Sequence, residues 1–131
     1  MIVRAKHRSG FQFELASAEN EILSDQWEDY GGEGAGPMPS ELFLWSVGAC
    51  FGQSMVYVAG KMRRVLPGLR LEVDGVKAKE VFRYGSITVR AMADCEPELL
   101  AKVVSLAKKY CFVTNSLSES VTLTFVTGEK P

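Results

Sequence analysis

Apolar and polar residues alternate along two short runs near the N-terminus, residues 2 to 6 and 11 to 15 (FQFEL), on either side of the turn pair Ser9-Gly10. Alternation with period two puts one set of side chains on each face of a strand, so these runs predict a β-hairpin. A third short extended piece is predicted over Glu21 to Ser24. The periodicity then stops in DYGGEGAGPMP, residues 29 to 39, whose glycines and prolines predict a loop.

From Leu42 to Gly60 there is no charged residue at all. The pattern predicts a helix from Pro39, where a missing N–H costs nothing, with Glu41 in the first turn beside the positive helix end. It should run to about Arg64, before Pro67-Gly68, with Lys61, Arg63 and Arg64 near the negative end. That is roughly 35 to 40 Å of helix, about the diameter of a whole domain. A helix apolar on every face belongs at the centre of a core or of a subunit interface. Its length alone would also suit a membrane span, but Ser46, Gln53, Ser54 and three glycines lie within it and the rest of the chain reads as soluble, so no membrane is expected.

Downstream, LRLEV (69 to 73), VKAKEVF (76 to 82) and SITVRAMA (86 to 93) alternate and are separated by Asp74-Gly75 and Tyr84-Gly85, which predicts three strands. Pro97 to about Tyr110 predicts an amphipathic helix, in which Leu99 or Leu100, Val103, Leu106 or Ala107 and Tyr110 recur at helical spacing, and Cys111 falls at its end. VTLTFVT, residues 121 to 127, alternates strictly and predicts a last strand. The sum is a single α+β domain over residues 1 to 131, in the order β-β-(β)-α-β-β-β-α-β, without internal repeats.

Composition narrows the function classes. With 131 residues, 47% hydrophobic and 24% charged, the chain is an ordinary globular one, long enough for a single core. A formal net charge of -1 carries no footprint for nucleic acid, which demands clustered excess Lys and Arg. The N-terminal residues MIVRAKHRSG lack the apolar core of a secretory signal, so a cytoplasmic protein with reduced thiols is expected. The Gly-rich loop resembles a phosphate cradle, but no G-K-[ST] follows it, and no cofactor is expected. Cys50, Cys95 and Cys111 have no C-x-x-C spacing and the only histidine, His7, is remote in sequence, so no metal site is expected either.

Each cysteine has two readings at this level. Cys50 in GACFGQS (48 to 54) and Cys111 at a helix end suit either redox chemistry or simple burial, since free cysteine is among the most buried residue types. Cys95 lies between Asp94 and Glu96, whose negative charge disfavours a thiolate, and reads as structural. Trp45, Phe51, Met55 and Tyr57 suit core or subunit packing, or the lining of an apolar entry.

PSELFLWSVGAC, residues 39 to 50, together with YCFVTNSL, residues 110 to 117, resembles the paired cysteine signatures of the OsmC/Ohr family. The upstream G-x-G-P-x-P loop, residues 34 to 39, and the order of elements agree, so the resemblance covers nearly the whole chain. It implies an intertwined homodimer, in which antiparallel sheets from both chains wrap the long central helices and two active sites lie at the interface. It implies that Cys50 attacks an organic hydroperoxide as a thiolate, that Cys111 resolves the product to a disulfide, and that an external dithiol reduces it. Family peroxidases hold the thiolate with an arginine from the N-terminal strands, for which Arg8 is the candidate and Arg4 the competitor.

The physical need for that cation is independent of the family. An unperturbed cysteine with a pKa of about 8.5 is only a few per cent ionised at neutral pH, and burial makes ionisation harder. One position departs from the family pattern. The glutamate that orients the arginine directly follows the motif proline, and here that residue is Ser40; Glu41 comes one later, about 100° further round a helix. The departure resembles the OsmC-like branch that keeps the cysteines without the acid. It leaves open a second reading, a binding protein for a small apolar or thiol-containing ligand with little turnover.

Overall fold

A computed structural model describes residues 1–131. The chain forms two compact units, residues 1–43 and 44–131. In the first, β1 (Arg4–Ser9), β2 (Gln12–Ser17) and β3 (Asn20–Ser24) make an antiparallel meander in the order β1-β2-β3. A bulge between His7 and Ser9 shifts the register at the first turn, and the His7 ring bonds the Gly10 carbonyl at 2.9 Å.

Helix α1 (Pro39–Lys61) begins in the first unit and runs through the second. It is followed by β4 (Arg70–Lys77), β5 (Tyr84–Met92), α2 (Pro97–Ala107), a 3₁₀ turn over Lys108–Tyr110, the one-turn helix α3 (Phe112–Asn115) and β6 (Thr122–Thr127). By length and composition α1 is apolar enough to cross a membrane. Val47, Phe51, Met55 and Val58 recur every three or four residues along it and are buried, while Trp45, Val56 and Tyr57 are exposed. The core of the second unit joins that stripe to Ile87, Val89 and Ala91, alternate residues of β5, and to Leu99, Leu100, Val103, Val104 and Ala107 of α2. Phe51 of α1 meets Phe125 of β6 with ring centroids 4.6 Å apart.

Three expectations change. Two strands, not three, lie between the long helices, because Asp74-Gly75 is no turn: both residues sit inside β4, paired with Thr88 and Ile87, and the chain reverses instead between Lys77 and Tyr84. Gly75 is needed there for close approach. A Cβ at this position would stand 2.6 Å from Tyr84 Cε1 and 2.9 Å from the Leu44 methyl on α1. The sheets are also not wholly antiparallel, since β6 runs parallel to β5. A parallel neighbour needs a crossover, and the segment carrying α2 supplies it. Finally, α1 stops at Lys61 rather than near Arg64, where Arg63 adopts a left-handed φ of 55°.

The seating of α1 on β4 follows a simple repeat. Leu44 faces Gly75, Gly48 faces Val73 and Gly52 faces Leu71; a Cβ added to either helix glycine would stand 3.0 Å from the Val73 methyl or 3.3 Å from the Leu71 methyl. Four helical residues advance about 6 Å and two strand residues about 6.8 Å, so the antiparallel steps stay nearly in phase over two turns. Small residues on the helix let it lie close, and Cys50 stands between the two glycines.

Candidate active site

Cys50 sits on α1 at the border between the buried stripe and the exposed residues Ala49 and Gln53, and is half-buried. Ser54, one turn later, donates its hydroxyl to the Cys50 carbonyl at 2.8 Å. Cys111 reaches the same place from the other end of the chain. Helical winding breaks at this residue, whose extended φ and ψ of -82° and 96° separate the 3₁₀ turn from α3. Its side chain is wholly buried.

The two cysteine side chains are close enough for each to act on the other's ionisation. Burial pushes the Cys111 thiol up from its ordinary value, and the Cys50 sulfur adds to the rise; the Thr114 hydroxyl and N–H, which face the Cys111 sulfur, pull the other way without cancelling it. Cys111 is therefore a protonated thiol at neutral pH. The pair has one half-buried cysteine and one wholly buried cysteine that keeps its proton. That arrangement suits thiol–disulfide chemistry, in which an exposed sulfur is oxidised and a neighbour closes the bridge. Cys95 stands at the entry to α2 between exposed Asp94 and Glu96.

Arg8 and Arg4 stand on β1 in the N-terminal unit, both exposed, and with Lys6 line one side of a groove of about 490 Å³ whose other walls include Glu14 and Glu21. Glu41 has a defined local task. Met38 occupies the N-cap position of α1, and its N–H donates to Glu41 Oε2 at 2.8 Å. This is the back-reaching half of a capping box, in which the third helical residue satisfies an otherwise orphaned N–H.

The residue the sequence pattern did not reveal is Asp25. Its side chain is 1% exposed, yet it accepts N–H groups from Gln26 (2.7 Å), Glu33 (3.2 Å) and Ala35 (3.1 Å) and the Gln12 amide at 3.4 Å. Burial alone would raise this carboxyl, but the hydrogen bonds outweigh it and hold Asp25 below the usual carboxylate range. The Gly-rich loop is thus an ordered turn wound about one carboxylate. The available signal was an aspartate between a strand and a run of glycines whose N–H groups need acceptors.

A family model described as OsmC-like protein matches residues 32–126. The chain belongs to the OsmC-like family. Its fold matches a hypothetical protein of Aquifex aeolicus at 26% identity, covering 98% of this chain and 95% of that one, with a TM-score of 0.81. It also matches the organic hydroperoxide resistance protein OsmC of Legionella pneumophila (19% identity, 98% and 96% covered, TM-score 0.77). A third match is the organic hydroperoxide resistance protein OhrB of Bacillus subtilis (18% identity, 98% of each chain covered, TM-score 0.73). No curated protein sequence matches significantly. Membership of the OsmC-like family places both cysteine motifs, residues 39 to 50 and 110 to 117, within the matched span.

Proposed function

We propose that this OsmC-like protein reduces organic hydroperoxides in oxidative-stress defence, using Cys50 and Cys111 as a redox pair. One observation carries the reading: two cysteines far apart in sequence meet, one half-exposed and one buried with its proton. The names of the structural neighbours from Legionella pneumophila and Bacillus subtilis, both organic hydroperoxide resistance proteins, support it.

In the proposed cycle the Cys50 thiolate attacks the terminal oxygen of the hydroperoxide. The O–O bond breaks, the alkoxide leaves and takes a proton to become an alcohol, and Cys50 becomes a sulfenic acid. The Cys111 sulfur then attacks the Cys50 sulfur; the S–O bond breaks and hydroxide leaves with the Cys111 proton as water. An external dithiol restores both thiols by exchange through the more accessible Cys50 sulfur and is itself oxidised to a disulfide. Arg8, with Arg4 as the alternative, is assigned the cation that favours the thiolate, and Glu41 its orientation. A cytoplasmic location would supply the reducing thiols this cycle needs.

The same reading assigns the protein a homodimer. Trp45, near the start of the uncharged run of α1, is 63% exposed, and Val56, eleven residues on and so on the same helical face, is 58% exposed; a second copy is the partner that would cover this apolar face. Sedimentation equilibrium should give twice the 14.4 kDa chain mass; a monomer at micromolar concentration refutes the assignment.

The decisive experiment treats reduced protein with one equivalent of an alkyl hydroperoxide and maps its peptides by mass spectrometry. A Cys50–Cys111 disulfide is expected, and Cys50→Ser should abolish hydroperoxide loss. Both thiols remaining reduced under excess hydroperoxide overturns the reading. A second reading, a small-ligand-binding protein, is favoured by one observation, the engagement of Glu41 as a helix cap beside a serine at position 40. It predicts saturable ligand binding by calorimetry with no hydroperoxide consumption.

A further inference from the structure

Cys50, Ser54, Tyr57 and Lys61 recur at i, i+4, i+7 and i+11, so they share one face of α1. At the far end of that face the Tyr57 ring meets the Tyr110 ring edge to face, with centroids 5.1 Å apart and planes at 69°. The Lys61 ammonium lies over both rings, 5.2 Å from the Tyr57 centroid and 5.6 Å from that of Tyr110. Lys109 approaches Tyr110 at 5.8 Å. A hydrogen bond with Tyr57, together with the charge interactions of both phenols, pushes the Lys61 ammonium up from its ordinary value, which keeps it a cation.

Tyr110 is the residue immediately before Cys111. The segment joining them is weakly built on its own account: α2 ends at Ala107, a single 3₁₀ turn follows, and Cys111 is extended. Short 3₁₀ turns have poor hydrogen-bond geometry, so their placement depends on side-chain contacts with something rigid. Here that support is double: the Asn115 side-chain amide donates to the Lys109 carbonyl at 3.1 Å, and Tyr110 packs on α1, the helix that carries Cys50.

We propose that Tyr57 and Lys61 are positioning residues, which clamp Tyr110 to α1 and so hold the Cys111 sulfur against Cys50. For its use in turnover this rests on the hydroperoxide reading above; the effect on the two thiols does not. The clamp acts on bridge closure, the step in which Cys111 must reach the Cys50 sulfenic sulfur, more than on the first attack, in which Cys111 takes no part.

The test is the effective concentration of the two thiols, obtained by equilibrating the protein with reduced and oxidised glutathione. Lys61→Met should lower it by about twofold to fivefold, the worth of a cation over a ring at an exposed site, and Tyr57→Leu by about twofold to tenfold, the worth of an aromatic pair. Tyr57→Phe, which keeps the ring pair, should lower it less. After a hydroperoxide pulse, the Cys50 sulfenic acid trapped by dimedone should increase in the same order, because closure slows while the first step moves less. Wild-type effective concentrations in both Lys61→Met and Tyr57→Leu overturn the proposal. If circular dichroism shows that Tyr57→Leu fails to fold, Lys61→Met at an exposed position decides alone. If hydroperoxide oxidises neither wild type nor variants, the functional reading fails while the glutathione series still judges the clamp.

Discussion

Adding one methyl group at four glycines should give four different outcomes, because the space over each differs. At Gly75 the new Cβ would stand 2.6 and 2.8 Å from the Tyr84 ring and 2.9 Å from Leu44, well inside the ~3.5–4 Å of ordinary carbon contacts. Overpacking of this kind costs about 1–3 kcal/mol, and removing a glycine from a strand gives back about 0.5–1, so from the middle of each range Gly75→Ala should lose about 1 kcal/mol, and at most about 2.5. At Gly60, in the last turn of α1, nothing lies within 4 Å, and Gly60→Ala should gain part of the interior helix-propensity difference of about 0.8–1 kcal/mol. Gly52 and Gly48 fall between. The Leu71 methyl at 3.3 Å can turn aside, whereas the Val73 methyl at 3.0 Å belongs to a β-branched side chain that cannot. The expected order of stability is Gly60→Ala, Gly52→Ala, Gly48→Ala, Gly75→Ala. In a chain of this size about 1 kcal/mol moves Tm by roughly 3–5 °C, so a thermal melt resolves both ends of the series. A Gly75→Ala protein as stable as wild type, or as stable as Gly60→Ala, would refute the close seating of α1 on β4.

Asp25 holds a carboxyl below its unfolded value, so its contribution to stability is present above about pH 4 and is lost as pH falls through the folded value; Asp25→Asn should flatten that acid limb and loosen the Gly-rich loop to proteolysis. Cys111 has the opposite sign. Its raised thiol supports the fold fully below the ordinary value near 9 and loses that support as pH rises past it, so urea melts of Cys111→Ser should show a weaker decline on the alkaline side. Glu41→Ala should cost about 1 kcal/mol through the lost cap, measured by denaturant midpoint, while Glu41→Gln should keep most of it. Should Glu41→Gln also keep hydroperoxide activity, the negative charge of Glu41 has no part in orienting an arginine.

The strands at both ends of the chain, both long helices and the two cysteine motifs were legible in the sequence, because each rests on rules acting within a few residues. Period-two alternation, a proline at a helix start and an uncharged run need no knowledge of what packs above them. The same local rules misread Asp74-Gly75. That dipeptide is a common turn, but a glycine also serves where a helix presses close, and only the packed position of Leu44 and Tyr84 distinguishes the two uses. The parallel course of β6, likewise, depends on where the chain returns after α2 rather than on the residues of β6.

The site divides in the same way. Cys50 and Cys111 were named by their motifs, while their meeting, the burial that keeps Cys111 protonated and the bracing of Tyr110 against α1 exist only once distant segments are packed. Asp25 was silent in the sequence because a lone aspartate before a loop is normally solvated; what makes it distinctive is the convergence of three backbone N–H groups and an amide on a carboxylate shielded from water. Covalent order sets which groups a chain possesses and the local shapes they favour. Solvent exclusion and long-range contact, which appear only on folding, set the protonation and reach of those groups, and it is these that make two ordinary thiols a candidate redox pair.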